Sequence, residues 1–408
     1  MSFEELYKIL VKQGADKDTS VLPCDPKHLD CLLHPEKYAP VLHTEPCEDC
    51  KDECECIKSC IFDAISKNDD GTLTIHSQRC TGCSACIEAC KRGKLTASRD
   101  ILPAMTAVRK SQTPSYALIA PAFLGQFSED VTPGKLRSAF KALGFSGMVE
   151  VALFADILTL KEALEFDENI LHDNDYQLTS CCCPVWISMI RKVYHDLMPH
   201  VPGSVSPMIA CGRVIKKLHP DAVTVFVGPC IAKKSEAREP DIRGAVDYVL
   251  TFQEVQDIFE AAGIDPATLD ESEKDHSSRA GRIYAHTGGV SEAVQKTVEQ
   301  LNPNRAIGVR TKQADGVPAC RTMIEELKQG KTTANFFEGM GCVGGCVGGP
   351  KAILNREKGR ELVCIYGDEA AYQTPLENPY VLELLHRLGF DTVQQLLEND
   401  EIFTRDFS

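Results

Sequence analysis

Twenty cysteines stand in this 408-residue chain, and their spacing is where its chemistry must lie. Nine fall between Cys47 and Cys90, three are consecutive at Cys181 to Cys183, and Cys342 and Cys346 sit in the glycine-rich GMGCVGGCVGG. A thiolate is both a nucleophile and a soft metal ligand. The N-terminus, MSFEELYKILVKQGADK, is polar and amphipathic and lacks the apolar stretch of an export signal, so the expected location is the cytoplasm. Reducing cytosol disfavours disulfides, and clustered cysteines there read as metal ligands or catalytic groups.

Cys80, Cys83, Cys86 and Cys90 follow C-x2-C-x2-C-x3-C, the spacing of a bacterial ferredoxin. In that pattern the first three thiolates hold one 4Fe-4S cube and the fourth reaches a second. Upstream, PCEDCKDECECIKSC supplies the other set. Cys56 and Cys60 have the closing x3 spacing, and Cys47 and Cys50 form the opening pair. A regular motif would put a cysteine at Glu53, so the middle is irregular. The assignment is Cys47, Cys50, Cys56 and Cys90 for one cube, and Cys60, Cys80, Cys83 and Cys86 for the other. Cys54 is then spare or exchanges with Cys56. Zinc sites also use C-x2-C, but rarely four cysteines at such close spacing. The segment resembles a two-cluster ferredoxin domain, whose work is moving single electrons.

The other motif cysteines lie in three separated stretches: LTSCCCPVWISM, VGPCIAKKSEA and FFEGMGCVGGCVGGPKAI. Each adjoins an apolar run or a helix-like stretch, as ligands presented on loops of a rigid scaffold should. The glycines around Cys342 and Cys346 let backbone approach a bulky inorganic group closely. These stretches resemble the signature of the iron-only (FeFe) hydrogenases, TSCCPxW, PCxxKKxE and ExMxCxGGCxxGG, in the same order, with Trp186 at the tryptophan position.

That resemblance implies a site residue by residue. Cys183, Cys230, Cys342 and Cys346 would bind the 4Fe-4S half of an H-cluster, with Cys346 bridging to a diiron half. In the family the diiron half carries carbonyl, cyanide and a bridging dithiolate, and dedicated maturation proteins install it. Cys182 matches the proton-passing cysteine, and Lys233 matches the lysine that donates to a cyanide, a charge-assisted hydrogen bond of the strong kind. Glu236 matches the family's glutamate, Ser206 and Pro207 a Ser-Pro pair near the cluster, and Ala120 and Pro121 an Ala-Pro loop. Glu162 and Glu165 match two proton-relay glutamates, spaced i,i+3 on one helix face.

The sequence also departs from the pattern. Cys181 stands where serine is usual. The relay serine falls on Pro202, which has no donor, and the relay's surface arginine falls on Asn169. Gly228 replaces a methionine that packs on the cluster, which should loosen that wall of the pocket. Pro350 replaces a glycine. These departures resemble the branch of the family called group D.

The elements that must position these residues are legible more coarsely. SYALIAPAF, MVEVALF, AVTVFVGPC and GRIYAHTGGV read as strands, and PGKLRSAFKALG, TFQEVQDIFEAAG and SEAVQKTVEQL as amphipathic helices between them. The fold class expected is α/β, an H-cluster domain of sheets flanked by helices behind a small α+β ferredoxin-like domain. The expected boundaries are a helix and loop over 1–40, the ferredoxin domain over 41–98, and a linker over 99–115. The catalytic domain follows over 116–355, and a helical tail over 356–408. Cys24, Cys31, Cys211, Cys320 and Cys364 read as small buried apolar residues.

Composition narrows the partners. Lys and Arg number 44 against 59 Asp and Glu, a net charge of −15, which argues against nucleic acid or an anionic membrane as partner. No apolar run is long enough to span a bilayer. The resemblance implies a hydrogenase that exchanges electrons with a ferredoxin or similar redox protein. The alternatives are a hydrogen-sensing regulatory protein with the same site, and an iron-sulfur assembly scaffold that lacks the diiron half.

Overall fold

The computed structural model describes residues 1–14, 23–47, 54–179, 182–272, 276–398 and 401–407. Cys50 and Cys181 lie outside the described residues.

The body is built on two parallel sheets. Strands β5 (Ser115–Ile119), β6 (Gly147–Glu150), β8 (Val223–Gly228) and β9 (Tyr248–Thr251) form the larger, in the order β6-β5-β8-β9. Strands β7 (Gln177–Leu178), β10 (Thr311–Asp315) and β11 (Phe336–Met340) form the smaller, in the order β10-β11-β7. Strands covered on both faces read as continuous apolar runs, as VTVFVG and SYALI do. Helices Pro133–Ala142, Phe252–Ala262 and Gly289–Leu301 lie where amphipathic spacing predicts them. Thr251 and Glu254 close a capping box at the start of the second.

In open parallel sheets ligands bind beyond the carboxyl ends of the strands. Every cysteine-bearing loop of the body leaves such an end. β7 runs into Cys182 and Cys183, β8 into Cys230, β11 into Cys342, and β5 into Ala120 and Pro121. The topology therefore gathers residues that are far apart in sequence.

The cysteine-dense segment has two small antiparallel pairs, β1 (Val41–His43) with β4 (Leu95–Ala97) and β2 (Ile65–Lys67) with β3 (Leu73–Ile75), and short helices Glu55–Lys58 and Ala85–Ala89. Three-residue strands and one-turn helices cannot hold themselves together.

Three readings need correction. GRIYAHTGGV is not a strand: Arg279–Arg282 is a short helix, Ile283–Ala285 a 3-10 turn, and Gly289 starts the next helix. Periodicity alone does not separate a buried strand from buried helical turns. What decides is Asp156, whose carboxylate accepts from the N–H groups of Ser278 and Gly281 at 2.6 and 2.8 Å. The stretch read as a linker carries helix Ile101–Lys110, which buries Ile101, Leu102, Met105 and Val108 in the core. The N-terminal region has two helices, Phe3–Gln13 and Pro26–Leu33, rather than one. The tail contains the two expected short helices and an earlier one, Arg356–Asp368.

Candidate functional site

Loop one is pinned before it reaches its cysteines. Trp186 is buried, donates its Nε1–H to the Thr179 carbonyl at 3.1 Å, and lies flat on Gly339, where a Cβ would meet the indole at 2.1 Å. Gly341 has the same relation to Val185, at 2.5 Å, and its N–H donates to Cys183 Sγ at 3.2 Å. Loops one and three thus lock together across β11. Gly345, at φ +84°, passes so close to Thr287 that a Cβ would lie 2.7 Å from its backbone nitrogen. Only glycine meets both demands.

The four cysteines lie within electrostatic reach of one another. The Cys342 thiol feels the charges of Cys230, Cys183 and Cys346, and the Cys346 thiol those of Cys230 and Cys183. Burial pushes Cys230 up to about 11 and Cys346 up to about 12, with the neighbouring thiols adding to it, and lifts Cys342 well above the ordinary thiol value. Such a group ionises only when something cationic compensates it. Lys233 lies beside it, buried, with its Nζ donating to Glu236 Oε2 at 2.7 Å. Burial works against the Lys233 charge, but Glu236, Cys230 and Cys346 outweigh it and raise its pKa. The Cys230 sulfur also receives the backbone N–H groups of Ala232 and Lys233. Among the described residues no three His, Cys, Asp or Glu side chains close on a single metal ion. Four thiols within that reach, with a cation beside them, suit a polynuclear iron-sulfur group, which needs its ligands further apart than one ion does.

The cysteine-dense segment sorts into two sets. Cys86 feels Cys80, Cys83 and Cys60 ahead of Cys56, whereas Cys56 feels Cys54, Cys90 and Cys47. Cys54 therefore stands within the second set. Burial raises Cys80 and Cys56 to about 11 each. The first set lies against the body. A Cβ at Gly82 would come within 3.1 Å of the Ala232 backbone, and Ser235 Oγ donates to the Cys80 carbonyl at 3.0 Å. A cleft of about 720 Å³ is lined by Cys83, Ser84 and Glu88 on one side and by Cys342 and Val343 on the other.

The remaining site residues are more dispersed. Glu162 and Glu165 lie on helix Ala152–Asn169, Glu162 buried, and Glu165 accepts from Lys161 Nζ at 2.7 Å. Cys182 is half-buried at the end of loop one. Ser206 caps helix Pro207–Leu218, its Oγ accepting from the Ile209 N–H at 3.4 Å. The wall at Gly228 is not loose: its Cβ direction is filled by the Phe226 ring at 2.8 Å and Ala120 at 3.0 Å.

Four neighbours of the sulfurs went unassigned in the sequence. Glu338 is fully buried in β11, and its carboxylate accepts from the N–H groups of Gly288 and Ser291 at 2.8 and 2.7 Å. Burial raises its pKa, and Cys346 feels it. Glu338 is the glutamate that opens the ExMxCxGGCxxGG pattern, and that was the available signal. Cys320 is buried close enough to Cys183 to feel its charge. Lys161 is buried against the candidate relay. His43 Nδ1 accepts from the Leu73 N–H at 3.2 Å, which leaves Nε2 to donate to Cys47 Sγ at 3.2 Å. None of the last three has a sequence spacing that marks it.

Known proteins share this architecture. Residues 113–350 match the family described as iron only hydrogenase large subunit, C-terminal domain. The NADP-reducing hydrogenase subunit HndD of Solidesulfovibrio fructosivorans is 25% identical, over 84% of this chain and 69% of its own length. The periplasmic Fe hydrogenase large subunit of Nitratidesulfovibrio vulgaris is 30% identical, over 55% of this chain and 63% of its own. The cytosolic Fe-S cluster assembly factor narfl of Danio rerio is 25% identical, over 64% and 78%. Among solved structures, the FeFe-hydrogenase HydA1 from Chlamydomonas reinhardtii superposes with a TM-score of 0.61 at 23% identity, over 73% of this chain and 97% of that one, a likeness of fold. With more than half its length matched by that family, the chain belongs to the iron-only hydrogenase large subunits, through their C-terminal domain.

Proposed function

We propose that this protein is a hydrogenase that interconverts two protons and two electrons with molecular hydrogen. The single observation that carries the reading is the convergence of the Cys183, Cys230, Cys342 and Cys346 sulfurs beside the buried Lys233 cation. Those four thiolates would hold the 4Fe-4S half of an H-cluster, Cys346 also bridging to the diiron half. When bound, that group supplies the centre at which electrons and protons meet. The chain's own part is to bury it, tune it and feed it.

Lys233, kept charged by Glu236, donates toward the anionic ligands of the diiron half. Cys182 holds and releases the proton, and Glu162 and Glu165 carry it along helix Ala152–Asn169. Pro202 interrupts the serine step of that relay. Two further cubes would pass electrons singly, the outer held by Cys47, Cys50, Cys56 and Cys90, with Cys54 spare or exchanging with Cys56, and the inner by Cys60, Cys80, Cys83 and Cys86. Residues 41–98 act here as a two-cluster ferredoxin domain and 116–355 as the catalytic domain. The electron partner is a ferredoxin-like protein, and maturation proteins supply the diiron half. The branch is the one called group D, and the location the cytoplasm. Among the described residues no helix is long and apolar enough to cross a membrane.

Anaerobic expression with the maturation proteins, followed by infrared spectroscopy, tests this reading. Iron-bound carbonyl and cyanide bands with hydrogen evolution from a reduced dye are expected. Cubes without those bands would overturn it. That outcome would favour the second reading, an assembly scaffold, which similarity to the narfl assembly factor supports. Bands with very slow turnover would favour a hydrogen sensor.

A further inference from the structure

A small buried cavity lies behind the Lys233–Glu236 pair. Ser204, Ser206, Glu236, Glu239 and Arg405 line it, with Pro184, the neighbour of Cys183, on the side of loop one. Its volume is about 10 Å³, the room for a single water. Ser204 is 2% exposed, and its Oγ has no hydrogen-bond partner. Ile187 and Phe407 make the rest of the lining apolar, so the unpartnered hydroxyl and the two carboxylates are what would hold an ordered water here.

One wall is the C-terminal tail, held there by backbone. Val205 N–H donates to the Phe403 carbonyl and Arg405 N–H to the Gly203 carbonyl, each at 2.8 Å, around a bridge between Ser204 and Thr404. Gly203 permits this approach, since a Cβ there would lie 3.0 Å from the Arg405 oxygen. The Arg405 guanidinium, 5% exposed, donates to Glu239 at 2.6 Å and to Asp241 at 2.9 and 3.0 Å. Two carboxylates, Glu236 and Glu239, thus face one small space. Glu236 already accepts from Lys233, and Glu239 from Arg405 and from Arg191 at 2.7 Å. A carboxylate has further lone pairs to offer, and the Ser204 hydroxyl is the group without a partner.

We propose that this cavity holds one ordered water, which accepts from Ser204 Oγ and donates to the Glu236 and Glu239 carboxylates. Through it the C-terminal tail fixes the Lys233–Glu236 pair from behind. Arg405, which holds Glu239, is therefore a positioning residue for the Lys233 ammonium, and the water is the link between them. The inference rests on the reading that Lys233 faces a bound cluster. A carboxylate held on both sides cannot swing, so the ammonium it anchors keeps its place over Cys230 and Cys346.

The test uses the full chain reconstituted with iron and sulfide, as wild type, Ser204→Val and Ser204→Ala. Valine fills the cavity, whereas alanine leaves the space and both carboxylates. A crystal structure fine enough to show single waters should find the peak in wild type and Ser204→Ala and lose it in Ser204→Val. The electron paramagnetic resonance of the cube on Cys183, Cys230, Cys342 and Cys346 should shift in Ser204→Val alone. A dry cavity in the wild type, or an unshifted Ser204→Val spectrum, would overturn the proposal. If Ser204→Val does not fold, the wild-type water peak decides it. A wild-type protein that forms no third cube would instead overturn the hydrogenase reading, which that spectrum reports separately from the water.

Discussion

At the scale of single residues, contacts around the four sulfurs leave little slack. Gly339 has no room for a side chain, because the indole of Trp186 occupies the Cβ direction at 2.1 Å. Gly339→Ala should cost about 1–3 kcal/mol through overpacking, read as a lower denaturation midpoint. It should also release loop one, with less iron retained on Cys183. Cys230→Ala should leave iron and sulfide for two cubes in place of three, measured by metal analysis and spin quantitation. Cys182 binds no iron in the proposed scheme. Cys182→Ala should keep the full metal content after maturation and lose about 100-fold or more in hydrogen evolution, as removal of a positioned acid-base group does. Wild-type turnover in that variant would refute its role in proton transfer.

At the scale of elements, the two adjacent lysines of loop two serve different ends. Lys233 faces the thiols, whereas Lys234 is fully buried on the opposite side, donating to the Val249 carbonyl at 2.7 Å and lying 3.1 Å from Glu254 Oε2. Glu254 also accepts from the Asp100 N–H at 2.8 Å and the Thr251 N–H at 2.9 Å. One carboxylate therefore ties helix Phe252–Ala262, the start of helix Ile101–Lys110 and loop two together. Glu254→Gln should leave Asp100, whose Oδ1 lies 3.3 Å from Lys234 Nζ, as the remaining counter-charge and cost about 1–3 kcal/mol, measured by chemical denaturation. Burial alone would raise the Glu254 pKa, but Lys234, Arg99 and the Thr251 hydrogen bonds overcome it and lower it. A depressed carboxylate binds its proton more readily in the unfolded chain. Its stabilisation is thus complete above the ordinary value of 4.5 and is lost as pH falls through the lower folded value. Acid unfolding of wild type should steepen below that point, and Glu254→Gln should lack this component. The amphipathic spacing of TFQEVQDIFEAAG foretold the helix but neither its capping box nor the triple junction, since Asp100 lies in a stretch that composition marks as a linker.

At the scale of the whole molecule, stability is unevenly founded. Two apolar clusters run through the α/β body, whereas residues 54–98 add to the second only Phe62, Ala64, Ile65, Leu73 and Leu95 beside their cysteines, on three-residue strand pairs. In the proposed scheme metal binding supplies folding energy there. Removal of iron by a chelator should open the cysteine-dense segment first, seen as fast amide exchange over that region with protection retained in β5 and β8. Simultaneous loss of both would show that the body also depends on its cluster.

What the sequence determined by itself was a run of closely spaced cysteines able to ligate metal, three loop motifs that match those of a known family, and alternating apolar and amphipathic runs that make an α/β body. Those properties are local, carried by spacing and residue type. Only the tertiary structure decided that GRIYAHTGGV turns instead of extending, because a distant carboxylate, Asp156, takes its N–H groups. It also decided that Phe226 fills the wall at Gly228 and that Arg405, nearly at the chain's end, reaches the back of the Lys233–Glu236 pair. Such contacts join residues far apart along the chain, and periodicity carries no record of them.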